Sequence, residues 1–424
     1  MACCSSSISS VCSNEGCAER SSEVVKGVHA RLRKKFKEAD GDFERIWVEH
    51  CEDEACLGEY AYAMQHLATE HWAAKHPDDR IKWCYHACKE YFFHGGLGKA
   101  LDKDRRRKQH QLKKLEATQQ IELLGEMCNN GREVVAHGNH CNGSHDIRDS
   151  ILECITEPRN SNQYNTIFIP FSGPLRLLDV GSCFNPFLEY PEFLSVGIDI
   201  SPAVQSVHKC DFLNLQLQQP LQVAPDTVDT YLRTLKSPVE TLPQQCFHVV
   251  VFSLLLSYFP SPYQRWLCCQ KAHQLLQLNG LLLIITPDSS HANRHVDMVK
   301  SWKKVIESLG FTRCRYVKDT HLHFMAFRKT TLEPPSVVSA EISPDMLYIP
   351  QDYNEDLEES VFLDDYPRSD DDDRRCSDLF SELPEYNDDG DGEEDGDDAD
   401  ENGEEGSERI NGEDWEDFDA LSYH

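Results

Sequence analysis

Short apolar runs, each ending at a glycine or an acidic residue, recur through the middle of the chain. The run 175–180 stops at Gly181, and the run 194–198 stops at Asp199. Runs of this length are typical of parallel strands that are buried on both faces. The stretch 175–201 therefore predicts two buried strands joined by a tight glycine turn and a short connection.

The residues that end these runs have the chemistry of a nucleotide pocket. A glycine lets the backbone approach a ligand without a Cβ in the way. The acid that follows 18 residues later can accept both ribose hydroxyls of an adenosine, and Asp211 follows the next short run, where an adenine amino group would bind. Two core strands with a capping aspartate would give the same pattern, so this alternative stays open. The candidate binding residues are Gly181, Asp199, Asp179, Ser182, Ile200, Asp211, Phe212 and Ser253.

Strand and helix patterns alternate over the rest of this region. The apolar segment 247–256 predicts a central strand, and helical spacing over 262–278 predicts a helix that Asn279 and Gly280 close as a C-cap. A strand at 281–286, a helix at 299–309 and paired strands at 312–317 and 321–328 follow. This alternation predicts a doubly wound α/β domain.

The preceding region has helical periodicity from Ser22 onward and ends in a glycine-containing loop near residue 140. Its cysteines raise the question of a zinc site, but their spacings, C-x4-C and C-x3-C, match structural zinc knuckles poorly. We therefore favour buried thiols over metal ligands for Cys51, Cys56, Cys84 and Cys88. Basic clusters at 31–37 and 99–114 have acids or glutamines in or near them, which favours solvated helices over a nucleic-acid surface.

Charge is very unevenly distributed. Residues 351–424 contain 32 acidic and 4 basic residues and carry −28 of the total charge of −31, so the first 350 residues are nearly balanced. A segment with so little apolar surface is expected to be disordered. The 18 cysteines are scattered, and the first residues lack the apolar core of a secretory signal. We therefore expect reduced thiols, a cytoplasmic location and no membrane span.

The order Asp179-Val-Gly181, Asp199, Asp211-Phe212 and a closing strand pair resembles the class I S-adenosylmethionine-dependent methyltransferases. The segments DVGSCFNPF and SLLLSYFPSPYQRW resemble relatives of the ribosomal-RNA adenine-N1 methyltransferases and, in particular, the animal S-adenosylmethionine sensors upstream of the TOR kinase complex. The resemblance implies a Rossmann-like doubly wound sheet with S-adenosylmethionine as ligand or methyl donor, and no metal.

The resemblance also suggests how the chain divides. We predict a disordered N-terminus (1–21), a helical domain (22–140), an S-adenosylmethionine-binding α/β domain (141–330), and a linker with a disordered acidic tail (331–424). Within the last part, 346–353 is an isolated apolar island. One departure from the superfamily concerns its D-x-G-x-G-x-G loop, of which this chain keeps only the first glycine. Pro186 and Pro191 also interrupt the helix that would follow.

Two functions remain open. The resemblance implies a nutrient sensor for methionine that inhibits TOR signalling through GATOR and KICSTOR subunits when ligand-free. The resemblance further implies that the sensor is released from these subunits when S-adenosylmethionine binds, and that the same partners would recruit it to the lysosomal surface. The alternative is a methyltransferase acting on an adenine of ribosomal RNA. For a methyltransferase, the segment 257–260 lacks the N-P-P-Y or D-P-P-Y motif that would clamp the acceptor base. Asp288 and His291 are the candidate bases for proton removal, but the catalytic residues stay unassigned. The lost glycines, the missing clamp and the nearly balanced charge favour the sensor without a nucleic-acid partner.

Overall fold

The structure, a computed structural model, describes residues 14–72, 80–129, 167, 170–287, 292–319, 322–333 and 342–352. Asp288, His291, most of the loop before β1 and the acidic tail beyond Asp352 lie outside the described residues. The strands are β1 (Leu175–Val180), β2 (Phe193–Asp199), β3 (Val207–Lys209), β4 (Gln216–Gln218), β5 (Thr241–Pro243), β6 (Phe247–Ser253), β7 (Leu276–Pro287), β8 (Phe311–Lys318) and β9 (Leu322–Lys329).

Seven of these strands form one sheet in the order β3-β2-β1-β6-β7-β9-β8, while β4 and β5 pair separately. The pairs from β3 to β7 are parallel, and β9 runs antiparallel to both β7 and β8. The chain reverses its direction of travel across the sheet after β3, as in a doubly wound fold. This order, with β9 antiparallel to both of its neighbours, confirms the predicted class I methyltransferase fold.

The helices are α1 (Asn14–Glu38), α2 (Phe43–Glu52), α3 (Glu54–His66), α4 (Arg80–Phe92), α5 (Gly96–Asn129), α6 (Pro225–Arg233), α7 (Pro262–Leu275) and α8 (Ala292–Ser308). Helix α1 begins at Asn14, within the N-terminal segment that we expected to be disordered. Helices α2 and α3 are separated at Asp53, whose side chain accepts a hydrogen bond from the backbone N–H of Cys56. That bond makes Asp53 the N-cap of α3.

Successive residues of the central strands face opposite layers. Leu178 of β1 and Val250 of β6 belong to the core shared with α7 and α8. Their neighbours Leu177 and Val249 belong to the core shared with α4. Helix α4 is therefore a layer of the α/β domain, although we assigned it to a separate helical domain. Its buried residues are Ile81, Cys84, Ala87, Cys88, Tyr91 and Phe92.

Helix α4 packs on this face of the sheet because the connection between β1 and β2 forms no α-helix. A doubly wound fold ordinarily places a helix there, but the connection is short and contains two prolines. It forms a single 3-10 turn, Pro186–Glu189, with Phe187 fully buried. The uncovered strands are instead packed by α4, whose Tyr91 hydroxyl donates to the carbonyl of Asn279 at 2.9 Å.

The boundary between α7 and β7 differs from our prediction. Helix α7 ends at Leu275, and Asn279 and Gly280 lie inside β7 rather than capping the helix. The predicted C-cap is wrong because apolar residues flank this dipeptide on both sides and both flanks pair with β6. The register shifts there, since Phe247 pairs with Leu276 but Val249 pairs with Leu281. Such a bulge accommodates the left-handed φ of 69° at Asn279.

Residues 342–352, here called the C-terminal strap, pack against α7 and α8. We expected a linker and an isolated apolar island in this part of the chain. Leu347 is fully buried, and the indole N–H of Trp302 donates to the carbonyl of Tyr348 at 2.8 Å. The Arg265 guanidinium, which is fully buried, makes hydrogen bonds of 2.7 and 2.9 Å to the two carboxylate oxygens of Asp352. The α/β domain therefore extends to Asp352.

Candidate functional site

The carboxyl ends of β1, β2 and β6 meet at a cavity of about 90 Å³. In open α/β sheets, ligands bind at this edge, at the point where the strand order reverses. Five of the eight candidate residues line the cavity: Gly181, Asp199, Ile200, Phe212 and Ser253. The other three, Asp179, Ser182 and Asp211, do not line the cavity in the conformation described.

The loop after β1 has left-handed backbone at the positions of the two missing glycines. Cys183 and Asn185 stand where the superfamily pattern has its second and third glycines, and their φ angles are 55° and 53°. Glycine adopts this left-handed region freely, whereas other residues reach it at a cost of roughly 1–2 kcal/mol. The two residues that replace glycines therefore adopt a backbone conformation that glycine adopts more readily.

Hydrogen bonds within the loop stabilise this backbone. The Ser182 hydroxyl donates to the buried carboxylate of Asp179 at 2.7 Å and accepts from the backbone N–H of Asn185 at 3.1 Å. The Asn185 side chain in turn accepts from the Ser195 hydroxyl of β2 at 2.6 Å. Burial raises the pKa of Asp179 to about 7, although its bond from Ser182 opposes the shift. Asp179 and Ser182 thus shape the loop.

Asp199 ends β2 at the cavity wall. Its two carboxylate oxygens accept backbone N–H groups of Ser201 at 2.8 Å and Cys183 at 3.0 Å. Burial raises the pKa of Asp199 to about 6, and these bonds limit the rise because they favour the ionised form. A carboxylate has about four acceptor positions. Asp199 can therefore accept further hydrogen bonds from a ligand's hydroxyl groups.

Ser253 ends β6 on the opposite side of Gly181. Its hydroxyl is buried, and among the described atoms it has no hydrogen-bond partner. Buried polar groups in native structures are ordinarily paired, so an orphan at a cavity indicates a position for a polar ligand atom. Gly181 between them has a φ of 72°, and a Cβ there would lie 2.8 Å from the side chain of Leu255. The cavity edge therefore fits a ligand with hydroxyl and charged groups, as a nucleoside derivative has.

Helices α2 and α3 cover the cavity. They contribute Trp47, Leu57, Tyr60, Ala61 and Met64 to its wall. The loop after β6 contributes Tyr258 and Phe259, which pack against these side chains. Ring centroids of Tyr60 and Tyr258 are 5.0 Å apart, and those of Trp47 and Phe259 are 5.3 Å apart. The cavity is therefore shared between the N-terminal helices and the sheet.

Histidine and tyrosine side chains form hydrogen bonds beneath this cover, one of which joins α2 to the loop after β6. His50 of α2 shares a hydrogen bond with the Tyr258 hydroxyl, and His29 of α1 shares one with the Tyr60 hydroxyl at 2.9 Å. Burial lowers the pKa of His29 to about 3 and that of His50 to about 4. Both imidazoles are consequently neutral at physiological pH, and the contact carries no histidine charge.

Asp211 shows that a position after a strand does not by itself bring a side chain into the cavity wall. Its carboxylate lies beneath Trp47, whose indole N–H is 3.1 Å from both oxygens. Cys51 of the same helix also directs its thiol toward this carboxylate, at 3.8 Å. The contact joins residues 164 positions apart, and the apolar pattern of α2 predicts a buried tryptophan without indicating its partner.

The cysteines considered for zinc are dispersed. Cys84 and Cys88 are buried between α4 and the sheet, whereas Cys56 accepts a hydrogen bond from Arg31 at 3.0 Å. Among the residues that the structure describes, no group of three or more His, Cys, Asp or Glu side chains is placed to hold a metal ion. No helix in the same residues is both long and apolar enough to cross a membrane.

Known proteins are similar in sequence to this chain over most of its length. It is 53% identical over 377 residues to a Xenopus laevis protein named "S-adenosylmethionine sensor upstream of mTORC1", covering 89% of this chain and 86% of that protein. A Danio rerio protein of the same name is 51% identical over 370 residues, covering 87% of this chain and 85% of that one. The chain belongs to this family of S-adenosylmethionine sensors. Membership confirms the resemblance recognised in the sequence.

A narrower match falls within the α/β domain of this sensor family member. Residues 231–344 match the family model described as "Bmt2: 25S rRNA (adenine(2142)-N(1))-methyltransferase". Among solved structures, the N-methyltransferase NodS from Bradyrhizobium japonicum in complex with S-adenosylhomocysteine is 15% identical. That match covers 37% of this chain and 79% of the other, with a TM-score of 0.25.

Proposed function

We propose that this chain binds S-adenosylmethionine in the cavity and uses the ligand as a signal. When ligand-free it inhibits TOR signalling through GATOR and KICSTOR subunits, and S-adenosylmethionine releases it from them. The protein acts in the cytoplasm and reaches the lysosomal surface through these partners. Family membership supports the ligand and the pathway, while the identity of the partners follows from the resemblance seen in the sequence.

One observation carries the proposal, namely that two parts of the chain together line a small cavity. Its volume of about 90 Å³ is well below the roughly 300–1,000 Å³ of pockets for drug-sized ligands. S-adenosylmethionine therefore requires the lining side chains to move apart. A ligand shifts an equilibrium between two conformations only if it binds them with different affinity. A cavity that must open to be filled satisfies this requirement.

The cavity residues suggest how the ligand is held. Asp199 would accept the ribose hydroxyls, because its carboxylate retains acceptor capacity beside two backbone N–H groups. Ile200 and Phe212 offer apolar walls for an adenine ring, and the Ser253 hydroxyl is available to a polar group of the methionine part. When bound, S-adenosylmethionine would supply an activated methyl group, which the sensor function does not use.

A methyltransferase acting on an adenine of ribosomal RNA is the second candidate, favoured by the family match over 231–344. The loop after β6, where an acceptor base would enter, argues against it. Tyr258 of that loop is 7% exposed and bonded to His50, and Phe259 is packed against Trp47. An RNA base has no access to the cavity while α2 lies there.

Recovery of the protein from cells grown with and without methionine tests the proposal. We expect GATOR and KICSTOR subunits to accompany it from starved cells and to be lost when methionine is present. Pre-ribosomal RNA or ribosomal proteins in both samples would support the methyltransferase instead. Titration of the purified protein with S-adenosylmethionine and S-adenosylhomocysteine gives an independent check. Absence of heat with both ligands, on folded protein, would refute the binding site.

Gly181→Ala is expected to abolish measurable S-adenosylmethionine binding while the protein stays folded. The new Cβ would push Leu255 into the cavity, and the left-handed backbone adds a strain of roughly 1–2 kcal/mol. Gly173→Ala is the matched control, because Gly173 has a φ of 97° with nothing within 4 Å of its virtual Cβ. Thermal melting should show similar destabilisation of both variants. Equal ligand binding by both would contradict the prediction.

Ligand affinity is expected to fall on acidification. The bonds to ribose need ionised Asp199, whose pKa is about 6, so the dissociation constant should rise about tenfold per pH unit below about pH 6. Asp179, with a pKa of about 7, takes up its proton first, while His29 and His50 stay neutral throughout because their pKa values are lower. Titration between about pH 7.5 and pH 5 measures the slope. Asp199→Asn should bind weakly at every pH, and a persisting slope in that variant would assign the effect elsewhere.

A further inference from the structure

The carboxylate of Asp211 already receives as many hydrogen bonds as it can accept. Oδ1 lies 3.1 Å from the Trp47 indole nitrogen, 3.1 Å from the backbone nitrogen of Leu213 and 3.4 Å from that of Asn214. Oδ2 lies 3.1 Å from the same indole nitrogen, 2.7 Å from the Asn214 side-chain amide and 3.8 Å from the Cys51 thiol. An ionised carboxylate offers about four lone-pair positions. A further donor must therefore displace one of these.

The donors fall into two groups that differ in how they can leave. Leu213 and Asn214 belong to the same turn as Asp211, within three residues of it, so their bonds form with the turn itself. Trp47 and Cys51 both come from α2, which is more than 150 residues away in the chain. Displacement of α2 would remove both at once and leave the turn intact.

The sequence predicts that the carboxylate of Asp211 would bind the amino group of an adenine. In the structure, the indole N–H of Trp47 donates to this carboxylate instead. The neighbours of Asp211, namely Cys210, Phe212 and Leu213, line the cavity together with Trp47, whereas Asp211 does not. Trp47 is 6% exposed and its ring packs against Phe259. The indole thus covers the carboxylate on the side from which a ligand in the cavity would approach.

We propose that the indole N–H of Trp47 competes with the exocyclic amino group of the adenosyl ligand for Asp211. Docking of α2 in the position described and occupation of the adenine position then exclude each other. This inference rests on the proposed function and names its regulation. Because His50 lies one helical turn from Trp47, release of the indole also separates His50 from Tyr258. Ligand binding is thereby converted into a change in the position of α2.

Coupling of this kind is reciprocal. If the ligand disfavours the docked position of α2, a partner that binds the docked form lowers the affinity for the ligand by the same factor. Partners would therefore recognise a surface that includes α2 or depends on its position.

Trp47→Phe tests the competition, because it removes the N–H and keeps an aromatic ring in the apolar contact. We expect this variant to bind S-adenosylhomocysteine about tenfold more tightly than the wild type, since one hydrogen bond to a charged group no longer opposes binding. The 6-oxo analogue, S-inosylhomocysteine, lacks the amino group, so its affinity should change much less. Trp266→Phe is the matched control, being a half-buried tryptophan on α7 that stacks on Tyr263 at 5.6 Å. It should bind both compounds as the wild type does.

Hydrogen exchange of the wild-type protein gives a second measurement that needs no variant. Added S-adenosylhomocysteine should increase exchange of the α2 backbone amides. Equal affinity of wild type and Trp47→Phe, or weaker binding by the variant with α2 protected by ligand, would overturn the competition alone. No binding by either protein would overturn the proposed function and this inference together.

Discussion

Asp199→Ala is expected to weaken S-adenosylmethionine binding at least about a hundredfold. The carboxylate would make two charged hydrogen bonds to ribose, each contributing roughly 1.5–3 kcal/mol, and ~1.4 kcal/mol corresponds to a factor of ten. The fold should persist, because burial already disfavours the charge at this position, as the raised pKa of about 6 indicates. Isothermal titration measures the affinity, and circular dichroism verifies the fold.

The same variant separates a sensor from an enzyme. An empty cavity should leave the inhibitory complex intact at every methionine concentration, so GATOR and KICSTOR subunits should be recovered from fed and starved cells alike. Asp297→Ala, which removes an exposed acid of α8 distant from the cavity lining, is the control and should respond to methionine normally. Release of the Asp199→Ala protein by methionine, as in the wild type, would refute the sensor mechanism.

Asp352→Ala is expected to lower the free energy of unfolding by about 3 kcal/mol, because removal of one partner leaves a buried charge uncompensated. Arg265 is fully buried and donates, besides its bonds to Asp352, to the carbonyls of Leu256, Phe259 and Leu347. The guanidinium thus connects the C-terminal strap to the loop that carries Tyr258. Urea unfolding measures this difference, provided that the free energy of unfolding of wild type and variant falls with urea concentration at the same slope.

A surface pair of the same length provides the control for this experiment. Arg105 and Asp102 are also 2.7 Å apart, but their side chains are 71% and 59% exposed. Asp102→Ala should leave stability nearly unchanged, because exposed ion pairs contribute little. A chain ending at Asp352 should match the full chain in stability and ligand binding, whereas one ending at residue 341 should not. Full stability of the shorter chain would contradict the role assigned to the strap.

The strands at the site were predictable because their signal is local. A run of apolar residues that ends at Gly181 or Asp199 identifies a buried strand and its end, and parallel strands then bring those ends together. The boundary between α7 and β7 was missed because the residues around Asn279 are apolar on both sides and fit a helix or a strand. The C-terminal strap was missed because its apolar residues are too few to show a period.

The side-chain contacts that cover the cavity could not be predicted, for a different physical reason. Helical spacing shows that α2 and α4 each have a buried face, but it does not show which surface buries it. Trp47 contacts Asp211 across 164 residues, and Tyr91 contacts Asn279 across 188. These partners are chosen by shape and by the available hydrogen-bond groups of the folded sheet. The sequence therefore predicted the strand ends that line the cavity, but not the side chains of α2 and α3 that contact them.

The position of α4 on the sheet has a consequence for biosynthesis. This helix leaves the ribosome before any strand has been made, and two of the strands that bury its apolar face, β6 and β7, are synthesised more than 150 residues later. Contacts of such long sequence separation form slowly, and apolar surface that stays uncovered in a nascent chain favours aggregation. We expect chaperones to bind α4 on nascent chains that stop before β7. Completion of the fold, and with it the cavity, then awaits synthesis of the last strands and the strap.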